Sequence, residues 1–240
     1  MTIYEIIGIN LNKKEMLSFV GGGGKTTTIF RLAEELVKLN KKVLISTTTK
    51  IFIPSKDEYN YFFLKDIDEG FSPINGTITV LGEEIREDKL IGISKDKSDK
   101  IFKRDIFDYI LMESDGSKRK PIKAPGSDEP VIPNTTTKTI GVIGLDCLGE
   151  KIDDLTVHRP ELLLEISEKS SLDIIDEETI VKLILHKNGI FKNARGDKIL
   201  LLNKADNEVK IAKGIKIREK LDNTIYSKII IGDIIKRKFY

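Results

Sequence analysis

The chain has 240 residues, 40% hydrophobic and 32% charged, with 40 basic against 38 acidic side chains and a net charge of +2. That near balance argues against nucleic acid or an acidic membrane as partner. The single cysteine, Cys147, excludes a disulfide framework within the chain and points to a reducing compartment, so a cytoplasmic protein is expected. The N-terminal apolar stretch "IYEIIGI" carries Glu5 and is too short for a signal peptide or a membrane span.

Met16 to Val20 is a short apolar run that ends in glycines, as a buried parallel strand does. Thr26 to Leu39 follows with helical spacing of Ile29, Leu32, Ala33, Leu36 and Val37. Val43 to Ser46 reads as the next strand and opens into a threonine-rich loop. Strand, glycine loop, helix and strand form a βαβ unit. Further strands are expected at Thr77–Leu81, Leu90–Ile93, Tyr109–Met112, Thr139–Ile143, Lys198–Leu202 and Lys228–Ile231. Helices are expected at Arg159–Ser167, Glu177–His186 and Glu208–Leu221, the second N-capped by Asp176. The alternation predicts one α/β domain over residues 1–240, a mostly parallel twisted sheet with helices on both faces. Residues 54–92 are less regular and read either as an antiparallel insertion or as a mobile nucleotide-sensing segment.

The stretch "FVGGGGKTTT" resembles a phosphate-binding loop, although Phe19 stands where the strict G-x-x-x-x-G-K-[ST] pattern has glycine. Gly21, Gly22, Gly23 and Gly24 can adopt the positive φ values of an anion nest. Lys25 supplies a cation, Thr26 a hydroxyl for Mg²⁺, and Thr27 follows in the first helical turn. A bare glycine turn is the bland alternative, but four consecutive glycines carry a folding-entropy cost.

Two more stretches add to this. In "KILLLNKAD", Asn203, Lys204 and Asp206 resemble the N-K-x-D element of G proteins. The Asp206 carboxylate can accept both guanine N1–H and N2–H₂, which adenine does not offer. In "YILMESDG", Glu113 and Asp115 leave the end of an apolar strand, where an acid can hold Mg²⁺ or orient an attacking water. Asp115-Gly116 alone would also suit a turn. Lys25, Glu113 and Asp115 are the candidate catalytic residues, and Thr26, Glu113 and Asp115 the candidate metal ligands. Cys147 and His186 read as structural.

The glutamate and glycine after the third core strand resemble the metallochaperone GTPases of the SIMIBI class. More specifically, "SFVGGGGKTTT", "STTTK", "ESDGSKRKPIKAP", "EPVIP", "GVIGLDCLG" and "VHRPE" together resemble the YqeC family, named as accessory proteins of selenium-dependent molybdenum hydroxylases. The resemblance covers most of Leu17 to Glu161 and resumes at "LLLNKAD". It implies a P-loop NTPase fold, with Gly22, Gly24, Lys25 and Thr26 on phosphates and Mg²⁺. It also implies a nucleotide-sensing loop at Thr47 to Thr49. Lys118, Arg119 and Lys123 would grip phosphate or an anionic cofactor such as a molybdopterin dinucleotide; a solvated loop is the alternative. His158 and Arg159 would act as a switch or partner contact, or else as a cap or ion pair.

The resulting expectation is a Mg²⁺-dependent nucleoside triphosphate hydrolase, GTP before ATP, that assists maturation of a molybdenum hydroxylase or its cofactor machinery. A second subunit, as in a homodimer, or the client would supply any arginine finger. A P-loop transferase acting on a small acceptor and a non-catalytic carrier of cofactor or selenium are the alternatives.

Overall fold

The computed structural model describes residues 1–221 and 226–240. Helix α1 (Ile3–Ile7) leads into β1 (Glu15–Gly21), α2 (Lys25–Lys38) and β2 (Val43–Thr47). Then come β3 (Lys50–Phe52), β4 (Tyr61–Leu64), β5 (Ile78–Gly82), β6 (Glu84–Arg86), β7 (Lys89–Ile91) and α3 (Lys95–Lys103). The chain continues through β8 (Tyr109–Glu113), β9 (Ile122–Lys123), β10 (Lys138–Gly144), β11 (Val157–His158), α4 (Pro160–Ser167) and α5 (Glu177–Leu185). It ends in β12 (Asp197–Asn203), α6 (Glu208–Leu221), β13 (Lys228–Asp233) and β14 (Lys238–Phe239).

The main sheet has nine strands in the order β14–β13–β12–β10–β1–β8–β2–β5–β4. Every pairing in it is parallel except β13 with β14. Strand β1 is central, with Phe19 opposite Ile140 of β10 and Glu113 of β8.

Strand alternation explains how both faces are covered. Leu17, Phe19, Val43, Ile45 and Leu111 pack with Ile3 and Ile6 of α1 and Ile29, Leu32 and Leu36 of α2. On the opposite face Val20, Ile143, Leu200 and Leu202 meet Leu163 of α4, Ile180 and Leu183 of α5 and Ile217 of α6. Further along that side Met16, Leu44, Ile110 and Met112 meet Ile101 of α3. The central strands are buried on both faces, so they read as continuous apolar runs. The α/β architecture with helices on both faces is as expected.

Residues 54–92 supply two strands of the main sheet, β4 and β5, as well as β6 and β7, which join β3 in a separate antiparallel sheet. Three helices differ by a residue from their expected bounds, α2 at both ends, running Lys25–Lys38. Helix α4 begins at Pro160, with Arg159 as N-cap at φ 67°. Helix α5 ends at Leu185, so His186 lies just outside it and its Nδ1 accepts the Asn188 N–H. Asp176 caps α5 as its sequence position suggests, accepting the Thr179 N–H at 2.8 Å.

Candidate functional site

Four glycines carry the chain from the C-terminal end of β1 into α2. Gly21, Gly23 and Gly24 have φ of 94°, 76° and 116°. The loop is also too crowded for side chains: a Cβ on Gly21 would lie 2.4 Å from Val142 O, and one on Gly23 2.1 Å from Gly144 N. Phe19, which interrupts the strict motif, is fully buried in the sheet. The turn begins two residues later, at Gly21.

The inner amides of the loop are engaged. Gly22 N–H donates to Val142 O at 2.9 Å and Gly23 N–H to Lys120 O at 3.0 Å. Gly21 N–H donates to both Asp115 oxygens, at 3.1 and 3.0 Å. Helix α2 opens at Lys25, and its first-turn amides carry the positive end of the helix dipole.

Lys25 is only 3% exposed. Its Nζ donates to Gly21 O at 2.6 Å and lies 3.1 Å from Asp115 Oδ1 and 3.7 Å from Glu113 Oε1. Burial opposes its charge, but Asp115 and Glu113 outweigh burial and hold its pKa above the usual lysine value. Thr26 Oγ1 donates to Glu113 Oε2 at 2.6 Å. Burial pushes the Glu113 carboxyl up, against the opposing pull of Lys25 and Thr26. The structure thus brings Lys25, Glu113 and Asp115 into one buried cluster at the ends of β1 and β8, with the exposed Thr26 bonded to its edge. Thr27 lies next to it in the first turn of α2 and is exposed.

The threonine loop flanks this cluster. Thr47 Oγ1 donates to Glu113 O at 2.8 Å, and Thr48 Oγ1 to Val131 O at 2.8 Å. A Cβ on Gly116 would lie 3.5 Å from Thr49 Oγ1.

Asn203 ends β12 and ties the second motif to the glycine loop. Its Nδ2 donates to Gly23 O at 2.8 Å and its Oδ1 accepts Ile234 N–H at 3.1 Å. Its amide is therefore spent on positioning. Lys204 pairs with Asp146 at 2.7 Å, and Asp206 with Lys210 at 2.9 Å. Asp206 also accepts Asn207 Nδ2 at 3.1 Å and faces the surface.

Three basic residues grouped in the sequence separate in space. Arg119 stacks over the Phe52 ring at 3.9 Å, and Lys118 has φ 48°. Lys123 is 1% exposed and meets Asp115 at 3.3 Å and Glu129 at 2.6 Å, which excludes the solvated-loop reading for it. Glu129 in turn bonds Arg159, so Arg159 is an ion-pair residue. Glu129, whose signal was invisible without its partners, is the site residue that the sequence did not reveal. Cys147 is fully buried and burial raises its thiol pKa, as befits a core residue.

Taken together, the fold and cluster define an α/β protein with a glycine-rich strand-to-helix loop set against two strand-end acids. A family model described as YqeC protein matches residues 17–161. The Escherichia coli (strain K12) protein titled "Uncharacterized protein YqeC" is 31% identical over 191 residues, covering 78% of this chain and 75% of that protein. The chain belongs to the YqeC family. No helix among the described residues is long and apolar enough to cross a membrane.

Proposed function

We propose that the chain binds a nucleoside triphosphate with Mg²⁺, GTP in preference to ATP, and hydrolyses it as a switch. One observation carries the reading. Lys25 is buried in the glycine loop with its ammonium against Gly21 O, Asp115 and Glu113. A lysine in a plain connecting turn would sit in solvent, because burying its charge is costly unless it is paired.

The donor set suits a hard cation. Thr26 Oγ1 and the Glu113 and Asp115 carboxylates are all oxygen ligands, and Mg²⁺ is commonly held by one or two carboxylates with the rest of its shell water and phosphate. When bound, the ion would neutralise charge between the outer phosphates. Lys25 would leave Gly21 O for a phosphate oxygen, and the first-turn amides of α2 would face the same charge. Asp115, freed from Lys25, would orient a water on the outer phosphate. Asn203 would keep the loop in register with Lys204 and Asp206, which would face the base. For that, Asp206 must exchange Lys210 and Asn207 for guanine donors.

The link to molybdenum-hydroxylase maturation rests on the family resemblance alone. The test is calorimetric binding of GDP, GTP, ADP and ATP with Mg²⁺ to the wild type and Asp206→Ala. A guanine preference that disappears in Asp206→Ala supports the reading. Equal or adenine-favouring affinity removes Asp206 from base recognition and leaves an ATPase or transferase. No binding at all overturns the nucleotide site.

A further inference from the structure

Asp115 is shared between two buried lysines. Its Oδ1 lies 3.1 Å from Lys25 Nζ and its Oδ2 3.3 Å from Lys123 Nζ. Lys123 Nζ also donates to Gly116 O and Glu129 Oε2, each at 2.6 Å. Glu129 Oε2 accepts from Arg159 Nη1 as well. Six side chains thus run in alternating sign from the glycine loop outward: Glu113, Lys25, Asp115, Lys123, Glu129, Arg159. The Lys25, Asp115 and Lys123 side chains are 2%, 1% and 0% exposed, while Glu129 and Arg159 are 21% and 30% exposed. Burial opposes the Glu129 charge, but the hydrogen bonds from Arg159 and Lys123 outweigh it and hold the carboxyl below its usual range.

A buried ion chain is weak evidence for stability, because desolvation offsets the attraction. Its alternation has another consequence. We propose that Lys123, Glu129 and Arg159 are positioning residues that set how firmly Asp115 holds Lys25, and hence how readily Lys25 turns to an outer phosphate. The proposal rests on the phosphate-loop reading above. Lys123 draws on Asp115 and loosens its hold on Lys25. Glu129 draws Lys123 away from Asp115. Arg159 draws Glu129 away from Lys123. Three acids and three bases balance, so removing Lys123 or Arg159 leaves the cluster one unit more negative, and removing Glu129 leaves it one unit more positive. Both arguments give the same signs. Arg159 is the surface end of the relay, and an anionic group of a partner docking there would act as loss of its charge does.

At an effective dielectric of about 20, a unit charge roughly 8–10 Å from a unit negative charge changes binding by about 15- to 30-fold, and solvent screening reduces this to about tenfold or less toward the surface. The experiment is calorimetric binding of Mg²⁺ with GTP and with ATP to the full chain, as wild type, Lys123→Met, Glu129→Gln and Arg159→Gln. Thermal melting is run beside it. The relay predicts binding weaker by about tenfold in Lys123→Met, tighter by about threefold in Glu129→Gln and weaker by about threefold in Arg159→Gln. All three variants lose stability, so a merely structural role would weaken binding in all of them. Shifts of one sign in variants of a wild type that binds nucleotide therefore overturn the relay and leave the nucleotide site standing. If Lys123→Met does not fold, the opposite signs of the two outer variants decide. A wild type that binds neither nucleotide overturns the phosphate-loop reading, and the relay's role with it.

Discussion

Replacing Asn203 by alanine removes two buried hydrogen bonds at once. The Gly23 carbonyl loses the donor at 2.8 Å and the Ile234 amide loses the acceptor at 3.1 Å. Asn203 is 5% exposed, so water does not readily replace its amide. Each orphaned group costs about 1–3 kcal/mol, which gives a loss of about 2–6 kcal/mol for Asn203→Ala. For a chain of this size, that lowers Tm by roughly 4–24 °C. Urea denaturation and scanning calorimetry read it directly. Asn203→Asp is the informative partner. It keeps the acceptor for Ile234 but turns a carboxylate oxygen toward the Gly23 carbonyl, so it should be at least as destabilising as alanine. A loss below about 1 kcal/mol for Asn203→Ala, or an aspartate that restores stability, would refute the bridge between β12 and the glycine loop.

Three further outcomes follow from the same geometry. Lys25→Met leaves Glu113 and Asp115 buried with one cation fewer, and breaking a buried pair in this way should cost about 3–5 kcal/mol in urea denaturation. His158 is held down to about 4 by burial, helped by Lys123 and Arg159, against an ordinary value of 6.5. The unfolded chain therefore takes up a proton that the folded chain refuses, so this histidine's contribution is present above pH 6.5 and is lost as pH falls toward 4. His158→Gln should flatten the pH dependence of Tm across that window, and an unchanged profile would contradict the shift. Gly23→Ala should fail to reach native stability, because its Cβ meets Gly144 N at 2.1 Å and φ is 76°; a native melting curve would show that the loop can relax.

Strand positions and the glycine loop were legible because they are local. Apolar runs such as "YILM" and a glycine run before Lys-Thr announce themselves within ten residues. Helix α3 has no legible signal in the sequence: "KDKSDKIFK" buries only Ser98, Asp99 and Ile101, too thin a stripe to show a period, although Ser94 caps it by accepting Lys97 N–H. The placement of β4 and β5 at one edge of the main sheet is a matter of tertiary pairing, with no local signature. Lys123 illustrates the limit most sharply. In sequence it belongs to a basic run with Lys118 and Arg119. In space its partners are Asp115, Glu129 and Gly116, and only the fold turns a solvated cation into a buried one. Asn203 is legible as the first residue of an N-K-x-D element, but the bond from its amide to the glycine loop is visible only in the fold.

The most direct test of the central claim is a calorimetric titration of GTP with and without Mg²⁺, on the wild type and on Thr26→Val, which removes the hydroxyl bonded to Glu113 at 2.6 Å. If Thr26 helps to hold Mg²⁺ at the nucleotide site, wild-type binding weakens by about tenfold or more without Mg²⁺, and Mg²⁺ makes little difference to Thr26→Val. Absence of binding, or wild-type affinity indifferent to Mg²⁺, would contradict it.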